Sequence, residues 1–268
     1  MRQEIRDAED RLLSILRPME QAVVAYSGGV DSALLATAAH RVLGDRAVAI
    51  TILSPTLPAR EVEEASGIAA KSGIRHEIVR LNELDDPTFA ANPADRCYHC
   101  KKRRIALLET FARERGISWI LDGSNLDDLG DDRPGYRAVQ ESGMTRCPLI
   151  EARMTKAMIR ELSLEWGIPG DSRPAAACLA SRIPYGVPLT ADLLRRVERA
   201  EETLRALLPP ESRIRVRTTG SEGRIEVDPG LFPSILDETT RSAILDGLRS
   251  AGYSHVTLDL AGYRRGGA

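Results

Sequence analysis

The stretch Ser-Gly-Gly-Val-Asp-Ser at positions 27–32 joins an apolar run to a helical pattern. In an open parallel sheet, ligands bind beyond the carboxyl ends of the strands, where this stretch is expected to lie. Adjacent glycines let backbone N–H groups approach an anion closely, and a helix N-terminus attracts negative charge. We therefore expect phosphate to bind here. The contacts we expect come from Ser27, Gly28, Gly29, Val30, Asp31 and Ser32.

The carboxylate in this stretch adds a metal function to the phosphate site. Asp31 can hold Mg²⁺ against a pyrophosphate group. The stretch lacks the lysine of a Walker A loop and the spacing of G-x-G-x-x-G. A plain Gly-Gly turn capped by Ser32 is the alternative, and the position between a strand and a helix favours phosphate.

Composition and charge limit the class of protein. The 268 residues carry 37 Lys and Arg against 39 Asp and Glu, a net charge of -2, and only 4% are aromatic. This balance argues against a nucleic-acid partner, although a local basic groove is compatible with it. The first twenty residues are charged and show no signal peptide, and no run of about 18 apolar residues predicts a membrane span. We expect a cytoplasmic protein.

The four cysteines are expected to be ligands or reactive thiols, because disulfides are rare in the cytoplasm. Cys97 and Cys100 form a C-x2-C pair at a helix start, which suits zinc, an iron–sulfur cluster or a redox disulfide. No second C-x2-C completes a zinc site. We interpret Cys147, which precedes a proline, as structural, and His99 as exposed.

The elements that position these residues alternate between strands and helices over the first two thirds of the chain. Such alternation predicts an α/β domain with a parallel sheet covered on both faces. Two prolines and a glycine interrupt the chain at 181–190, and an α-β-β-α-β order follows. We expect one domain at 1–185 and a smaller α+β domain at 186–268, with a frayed tail at 262–268.

At family level, SGGVDS resembles the PP-loop of ATP pyrophosphatases, which have the adenine nucleotide alpha hydrolase-like fold. Further strings along the chain, from about residue 20 to residue 228, are similar to the LarE family of ATP-dependent sulfur transferases. These strings are NPADRCYHCKKRR, DGSNLDDLGDDRPGYRAVQE, CPLIEARMTKAMIREL, RPAAACLASRIPYG and the pair RIRVR and RIEV. The resemblance implies a PP-loop domain followed by a small α+β domain that serves substrate binding and oligomer formation. It also implies ATP and Mg²⁺ as cofactors, with AMP and pyrophosphate as products.

The substrate that this resemblance implies is a pyridinium mononucleotide with two carboxylates. Each carboxylate is adenylated and then converted to a thiocarboxylate, on the route to a nickel-pincer cofactor. The resemblance also makes Cys178 the central thiol, although a lone cysteine among alanines is usually an inert packing residue. A homo-oligomer is expected on the same ground.

Two sources of sulfur are compatible with these cysteines. Cys97, Cys100 and Cys178 suit a [4Fe–4S] cluster with one iron left open, and family members with this set carry such a cluster. An open iron can bind an extra sulfide and deliver it. In other members the equivalent cysteine gives up its own sulfur and becomes dehydroalanine. We expect the cluster here, with sacrifice of Cys178 as the alternative.

Two further residues are expected to assist at the nucleotide. Asp127 or Asp128, after the fourth predicted strand, could complete the Mg²⁺ site, and we favour Asp128; an Asx-type turn is the alternative. Lys156, which opens a predicted helix, could reach a phosphate, or could be an ordinary solvated residue of a first turn.

The arginines of the second domain are the expected substrate contacts. Arg215 and Arg217 share one face of a predicted strand with Arg213, and Arg224 begins the partner strand. Such charges often form a solvated face, but the resemblance places substrate binding here, and guanidinium groups suit phosphate and carboxylate. Arg182, near Cys178, is expected to favour its thiolate or to hold an anion. Glu202 is expected to orient these arginines.

Three other functions remain open from the sequence. A tRNA thiolase would adenylate a nucleobase, but the basic run KKRR at 101–104 is equally explained as a solvated helix face. An ammonia-using PP-loop ligase would leave Cys97, Cys100 and Cys178 without a role. A nucleotide sensor that has lost catalysis would not need Asp31, Asp128 and Cys178.

Overall fold

The computed structural model describes residues 2–130, 134–169 and 178–264. The chain forms two compact units, and each takes in more than one segment. The first unit comprises Met1–Ser54, Ala59–Asn82 and Asp95–Asp171, and the second comprises Pro55–Pro58, Glu83–Ala94 and Ser172–Ala268. These segments differ from the division expected after residue 185, which stays a prediction about domains.

The helices and strands follow the predicted alternation. Up to residue 114 they are α1 Gln3–Leu16, β1 Ala22–Ala25, α2 Val30–Leu43, β2 Ala47–Leu53, α3 Ala59–Ser72, β3 Arg75–Arg80, α4 Pro87–Ala90 and α5 Arg96–Glu114. Up to residue 165 there follow β4 Trp119–Leu121, α6 Pro134–Gln140, β5 Thr145–Arg146, α7 Pro148–Glu151 and α8 Lys156–Glu165. The last are α9 Ala191–Leu207, β6 Ile214–Thr219, β7 Glu222–Val227, α10 Phe232–Leu236, α11 Glu238–Ala251 and β8 His255–Leu258.

The first unit holds a five-stranded sheet in the order β3-β2-β1-β4-β5. All its pairings are parallel, which confirms the expected α/β class. From the central β1 the chain winds outward through β2 and β3 and then returns to β4 on the other side. The order therefore reverses between β1 and β4, and such a switch point opens a crevice at the carboxyl ends of the two strands.

Apolar side chains bury both faces of this sheet. Val24 packs with Leu12 of α1 and Leu34 of α2 on one face. Val23 packs with Leu108 and other residues of α5 on the opposite face. A strand buried on both faces reads as a continuous apolar run, as AVVA does. The sheet thus fixes both the crevice and the helix that carries Cys97 and Cys100.

The second unit contains a three-stranded sheet in the order β6-β7-β8. The first pair is antiparallel and the second is parallel, as expected for the small α+β domain. Its core joins Leu204 of α9 and Leu248 of α11 to Val216 of β6. Asp237 separates α10 from α11, and its carboxylate caps α11 by accepting from Thr240 N at 3.1 Å.

The expectation of a frayed tail is wrong as far as residue 264. Tyr263 N donates to Val227 O at 2.8 Å, and the Arg264 guanidinium donates to Asp259 at 2.8 Å. The first bond fastens the chain beyond β8 to the end of β7, and the second ties it to the residue that follows β8. Residues 265–268 lie outside the described part of the chain. Within that part, no helix combines the length and the apolar character needed to cross a bilayer.

Candidate nucleotide loop and arginine cluster

Residues 27–32, here called the nucleotide loop, connect β1 to α2 through bonds between their own groups. Ser32 Oγ accepts from Ser27 N at 3.2 Å and donates to Gly29 O at 3.0 Å. The hydroxyls of Ser27 and Ser32 lie 3.2 Å apart. Because α2 begins at Val30, Asp31 lies in its first turn. The loop is thus a preformed turn at the helix N-terminus, where an anion is stabilised.

Close packing explains the glycines on both sides of the crevice. Gly28 has φ +74°, and a Cβ there would lie 2.8 Å from Ala65 Cα in α3. Gly123, which follows β4, lies against α2, and its Cβ would be 3.3 Å from Ser32 N. Gly28 is therefore required by its backbone conformation and by helix packing, in addition to the anion approach that we expected.

Asp31 and Lys156 meet in the first unit. The Lys156 ammonium donates to Asp31 Oδ2, while Asp31 Oδ1 is buried without a hydrogen-bond partner among the described residues. Burial raises the pKa of Asp31, the nearby Asp128 carboxylate raises it further, and Lys156 acts in the opposite direction. An unpaired buried carboxylate oxygen beside a second carboxylate suits a divalent cation.

A local turn of the kind that we gave as the alternative follows β4, with the side chains of Asn125 and Asp128 as its acceptors. Asn125 Oδ1 accepts from Asp127 N at 3.0 Å, and Asp128 Oδ2 accepts from Asn125 N at 3.0 Å. Asp127 Oδ2 also accepts from Lys156 N at 2.7 Å, which fixes the start of α8. This turn holds Lys156 and Asp128 beside Asp31. A metal role for Asp128 stays a prediction.

An ion pair that was not predicted from the sequence lies at the same edge of the sheet. Asp122, which follows β4, is buried and accepts from the Lys101 ammonium. Its Oδ1 also accepts from Ser124 N at 3.0 Å. Burial alone would raise the pKa of Asp122, but Lys101 and Ser124 outweigh it and hold that pKa below its usual value. The pair ties the C-x2-C helix to the crevice.

The cysteines are divided between the two units. Cys97 and Cys100 are one helical turn apart on α5 in the first unit, and Cys178 belongs to the second. Cys97 and Cys178 are exposed, whereas Cys100 is partly exposed. In the described ranges no three Cys, His, Asp or Glu side chains form a group that could hold a metal ion. The cluster stays a prediction. Residues 173–177, the first five of the string RPAAACLASRIPYG, lie outside those ranges.

Cys147 is expected to resist alkylation. It packs with Ile105, Ala138 and Val139, and burial raises the pKa of its thiol to about 12. Only a thiolate reacts readily, so at pH 8 its reaction with iodoacetamide should be at least about 100-fold slower than that of exposed Cys97 or Cys178. Peptide mass spectrometry over a time course measures the four rates. Equal rates for Cys147 and Cys97 would contradict the buried position.

In the second unit, a buried salt bridge holds Arg182. Its guanidinium donates to both carboxylate oxygens of Glu201, at 2.7 and 2.9 Å, and also to Cys178 O at 3.2 Å. Glu201 further accepts from Val216 N at 3.1 Å. The expectation that Glu202 orients the arginines is wrong, because Glu202 is exposed on α9 and its neighbour Glu201 makes these bonds.

Arg215 and Arg217 are buried, so a solvated strand face does not describe them. With Arg182 and Arg224 they form what we call the arginine cluster. Arg217 pairs with the fully buried Glu226 at 3.1 Å. Arg224 is the cross-strand neighbour of Arg217 on β7, and its guanidinium lies 3.6 Å from the same carboxylate.

Arg215 forms no such ion pair with any carboxylate in the described part of the chain. It donates to Tyr263 Oη at 2.9 Å and to Ser181 Oγ at 3.4 Å, and its Nε is buried without a partner among the described residues. Burial and the neighbouring Arg182 lower the pKa of Arg215. A buried guanidinium bonded only to neutral groups is a ready partner for an anion.

Comparison with known proteins agrees with this geometry. A model of the NAD synthase family matches residues 9–119. The chain is 27% identical over 226 residues to a component of the glutamine-hydrolyzing GMP synthase of Thermoplasma acidophilum, covering 76% of this chain and 73% of that protein. The parallel sheet with its nucleotide loop thus defines an ATP-utilising enzyme of the PP-loop class.

Two relatives match almost the whole chain. An uncharacterized protein of Synechocystis is 40% identical over 257 residues, which are 96% of this chain and 95% of that one. The pyridinium-3,5-bisthiocarboxylic acid mononucleotide synthase of Lactiplantibacillus plantarum is 34% identical over 259 residues, 95% and 91% of the two chains. The chain belongs to the LarE family.

Proposed function

We propose that this protein is an ATP-dependent sulfur transferase. It adenylates the carboxylates of a pyridinium biscarboxylate mononucleotide and converts them to thiocarboxylates. The observation that carries the proposal is the buried Arg215 guanidinium, which lacks a carboxylate partner in the described part of the chain. A substrate with a phosphate and two carboxylates would supply that partner, and the relative from Lactiplantibacillus plantarum is named for the bisthiocarboxylic acid form of a pyridinium mononucleotide.

Adenylation is the first step of the proposed reaction. A carboxylate oxygen of the substrate attacks the α-phosphorus of ATP, and the bond to the β-phosphate breaks to release pyrophosphate. Backbone N–H groups of the nucleotide loop and the Lys156 ammonium hold the phosphates as negative charge gathers. The product is an acyl adenylate, in which AMP replaces oxide as the leaving group.

Mg²⁺ fits the residues beside the nucleotide loop. Asp31 Oδ1 is buried and unpartnered among the described residues, and the Asp128 carboxylate is close enough to raise the pKa of Asp31. Magnesium in phosphate sites is usually held by one or two carboxylates together with phosphate oxygens and waters. When bound, the ion would neutralise charge on the pyrophosphate. Asp31 and Asp128 would hold it.

Sulfur transfer is the second step. A sulfur nucleophile attacks the carbonyl carbon of the acyl adenylate, a C–S bond forms, and the C–O bond to AMP breaks. Cys97, Cys100 and Cys178 supply thiolates suited to an iron–sulfur cluster, which would provide sulfide when bound. If Cys178 itself attacks, its Cβ–S bond must then break by loss of the Cα proton, and dehydroalanine remains.

Release of AMP from MgATP distinguishes this function from its rivals. We expect release with the biscarboxylate mononucleotide and none with tRNA or with ammonia and a simple carboxylate. AMP release with tRNA would instead indicate a thiolase, and failure to form pyrophosphate with every carboxylate would indicate a sensor.

Iron and labile sulfide, measured on protein purified without oxygen, then identify the source of sulfur. About four irons per chain, lost together in Cys97→Ala and Cys100→Ala, would support the cluster. No iron even after reconstitution would assign the sulfur to Cys178, and dehydroalanine should then appear after one turnover. Assembly into a homo-oligomer stays a prediction.

A further inference from the structure

The C-terminal segment 262–264 is built into the second unit beside the arginine cluster. Gly262 has φ +77°, and a Cβ there would lie 2.9 Å from the Pro229 ring and 3.0 Å from Val227 O. The Arg264 guanidinium pairs with Asp259 at 2.8 Å. The backbone carbonyl of Arg264 accepts from the Arg217 guanidinium at 3.4 Å. Backbone bonds, close packing and ion pairs therefore fix the position of Tyr263.

Tyr263 touches two arginines through its ring and its hydroxyl. The ring centroid lies 5.2 Å from the guanidinium carbons of both Arg213 and Arg215. Its Oη accepts from Arg215 at 2.9 Å. Because Oη is the acceptor in that bond, the phenolic proton is left to donate elsewhere, and the described residues offer it no acceptor.

Among the described residues around Tyr263, Arg215 forms no ion pair, unlike the neighbouring arginines. Arg213 pairs with Asp228, and Arg217 pairs with Glu226. In the described part of the chain, the hydrogen bonds of the Arg215 side chain go to hydroxyls, and its Nε has no partner. Arg215 Nε–H and the Tyr263 O–H are thus two donors with no acceptor among the described residues, on side chains that already contact each other.

We propose that Tyr263 is a binding residue for an oxyanion at Arg215, and that the segment 262–264 is part of that site. The inference rests on the proposed function, in which the substrate brings a phosphate and carboxylates. The phenolic O–H donates to one oxygen of the anion while its ring holds the Arg215 guanidinium in place. A phosphate or carboxylate meets both donors, whereas a neutral group would leave the charge of Arg215 uncompensated.

Binding of inorganic phosphate by titration calorimetry tests this proposal. Tyr263→Phe keeps the ring and removes only the hydroxyl, so we expect the dissociation constant for phosphate to rise about tenfold. Tyr185→Phe is the matched control, since Tyr185 is an exposed tyrosine of the same unit, and it should bind phosphate as the parent does. Arg215→Met should abolish binding. Circular dichroism confirms that each variant is folded.

The outcomes distinguish the role of Tyr263 from that of the anion site at Arg215. Weaker binding in Tyr263→Phe, together with unchanged binding in Tyr185→Phe, supports the proposal. Parent-like binding in Tyr263→Phe while Arg215→Met loses it would overturn the role of Tyr263 and leave the arginine cluster intact. Tighter binding in Tyr263→Phe would make the tyrosine a competitor and overturn the proposal. Phosphate binding that survives Arg215→Met would refute the anion site of the proposed function itself.

Discussion

Replacing Asp31 with asparagine is expected to reduce pyrophosphate release from ATP by at least about 100-fold. The carboxylate lies in the first turn of α2, and its Oδ1 is buried without a partner among the described residues. An asparagine has the same shape but no charge to hold a cation against the phosphates. Turnover is measured by a coupled pyrophosphate assay with saturating ATP.

The stability of the Asp31→Asn protein should not fall with its activity. Burial raises the pKa of Asp31, so above that pKa the ionised form opposes folding, and asparagine removes this cost. We therefore expect an unfolding temperature equal to or above that of the parent. Retained pyrophosphate release would refute the metal role of Asp31.

Lys156→Met is the control for the broken ion pair. The Lys156 ammonium forms an ion pair with Asp31, and either substitution removes this pair. We expect Lys156→Met mainly to raise the KM for ATP, because the ammonium would bind a phosphate, with a smaller loss of kcat than in Asp31→Asn. Equal losses of kcat in the two variants would mean that the pair, and not a metal-binding carboxylate, matters.

Replacing Glu201 with glutamine is expected to destabilise the second unit by about 3–5 kcal/mol. Both side chains of the Arg182–Glu201 pair are only 4% exposed. Glutamine keeps the size of Glu201 but leaves the Arg182 guanidinium buried without its counter-charge. Arg215, which forms no ion pair with any described carboxylate, adds a second positive charge nearby and increases this cost.

The adjacent residue provides a matched control for that variant. Glu202 is exposed, so Glu202→Gln removes the same charge from the same helix and should change stability by less than about 0.5 kcal/mol. Guanidinium chloride unfolding, followed by circular dichroism, measures both variants. Similar midpoints for the two proteins would contradict the assignment of Glu201 as the buried partner.

The nucleotide loop could be predicted because its signals are local. An apolar run, two glycines and a helical pattern occur in immediate succession, and the order of strands and helices places them at one edge of the sheet. The structure adds the packing of Gly28 on Ala65 and the pairing of Asp31 with Lys156, 125 residues later. Contacts at that separation depend on the tertiary fold and leave no local pattern.

The error at Glu202 concerns which face of a helix is buried. Both glutamates are plausible partners for arginine. Leu194, Val197 and Leu204 form the buried face of α9, and the helical repeat places residue 201, not residue 202, on that face. The periodicity of α9 could therefore have identified Glu201. The same reasoning applies to Lys101, which lies four residues before the buried Ile105 on α5.

The tail was missed for a different reason. The sequence GYRRGGA is short, polar and rich in glycine, which is typical of a frayed end. Its order comes from bonds to Val227, Asp259 and the arginine cluster. The positions of these partners along the chain form no repeating pattern with Tyr263. A short terminal segment that is held by side-chain bonds and by distant partners has no periodicity to reveal it.

The mass of the product formed from the mononucleotide tests the central claim most directly. The purified protein is incubated with MgATP, the pyridinium biscarboxylate mononucleotide and sulfide labelled with a heavy sulfur isotope, and the nucleotides are separated and weighed. We expect AMP together with a mononucleotide in which sulfur has replaced carboxylate oxygen. Labelled product would assign the sulfur to the added sulfide, and unlabelled product to Cys178. An unchanged mononucleotide, in the presence of ATP cleavage, would contradict the proposed sulfur transfer.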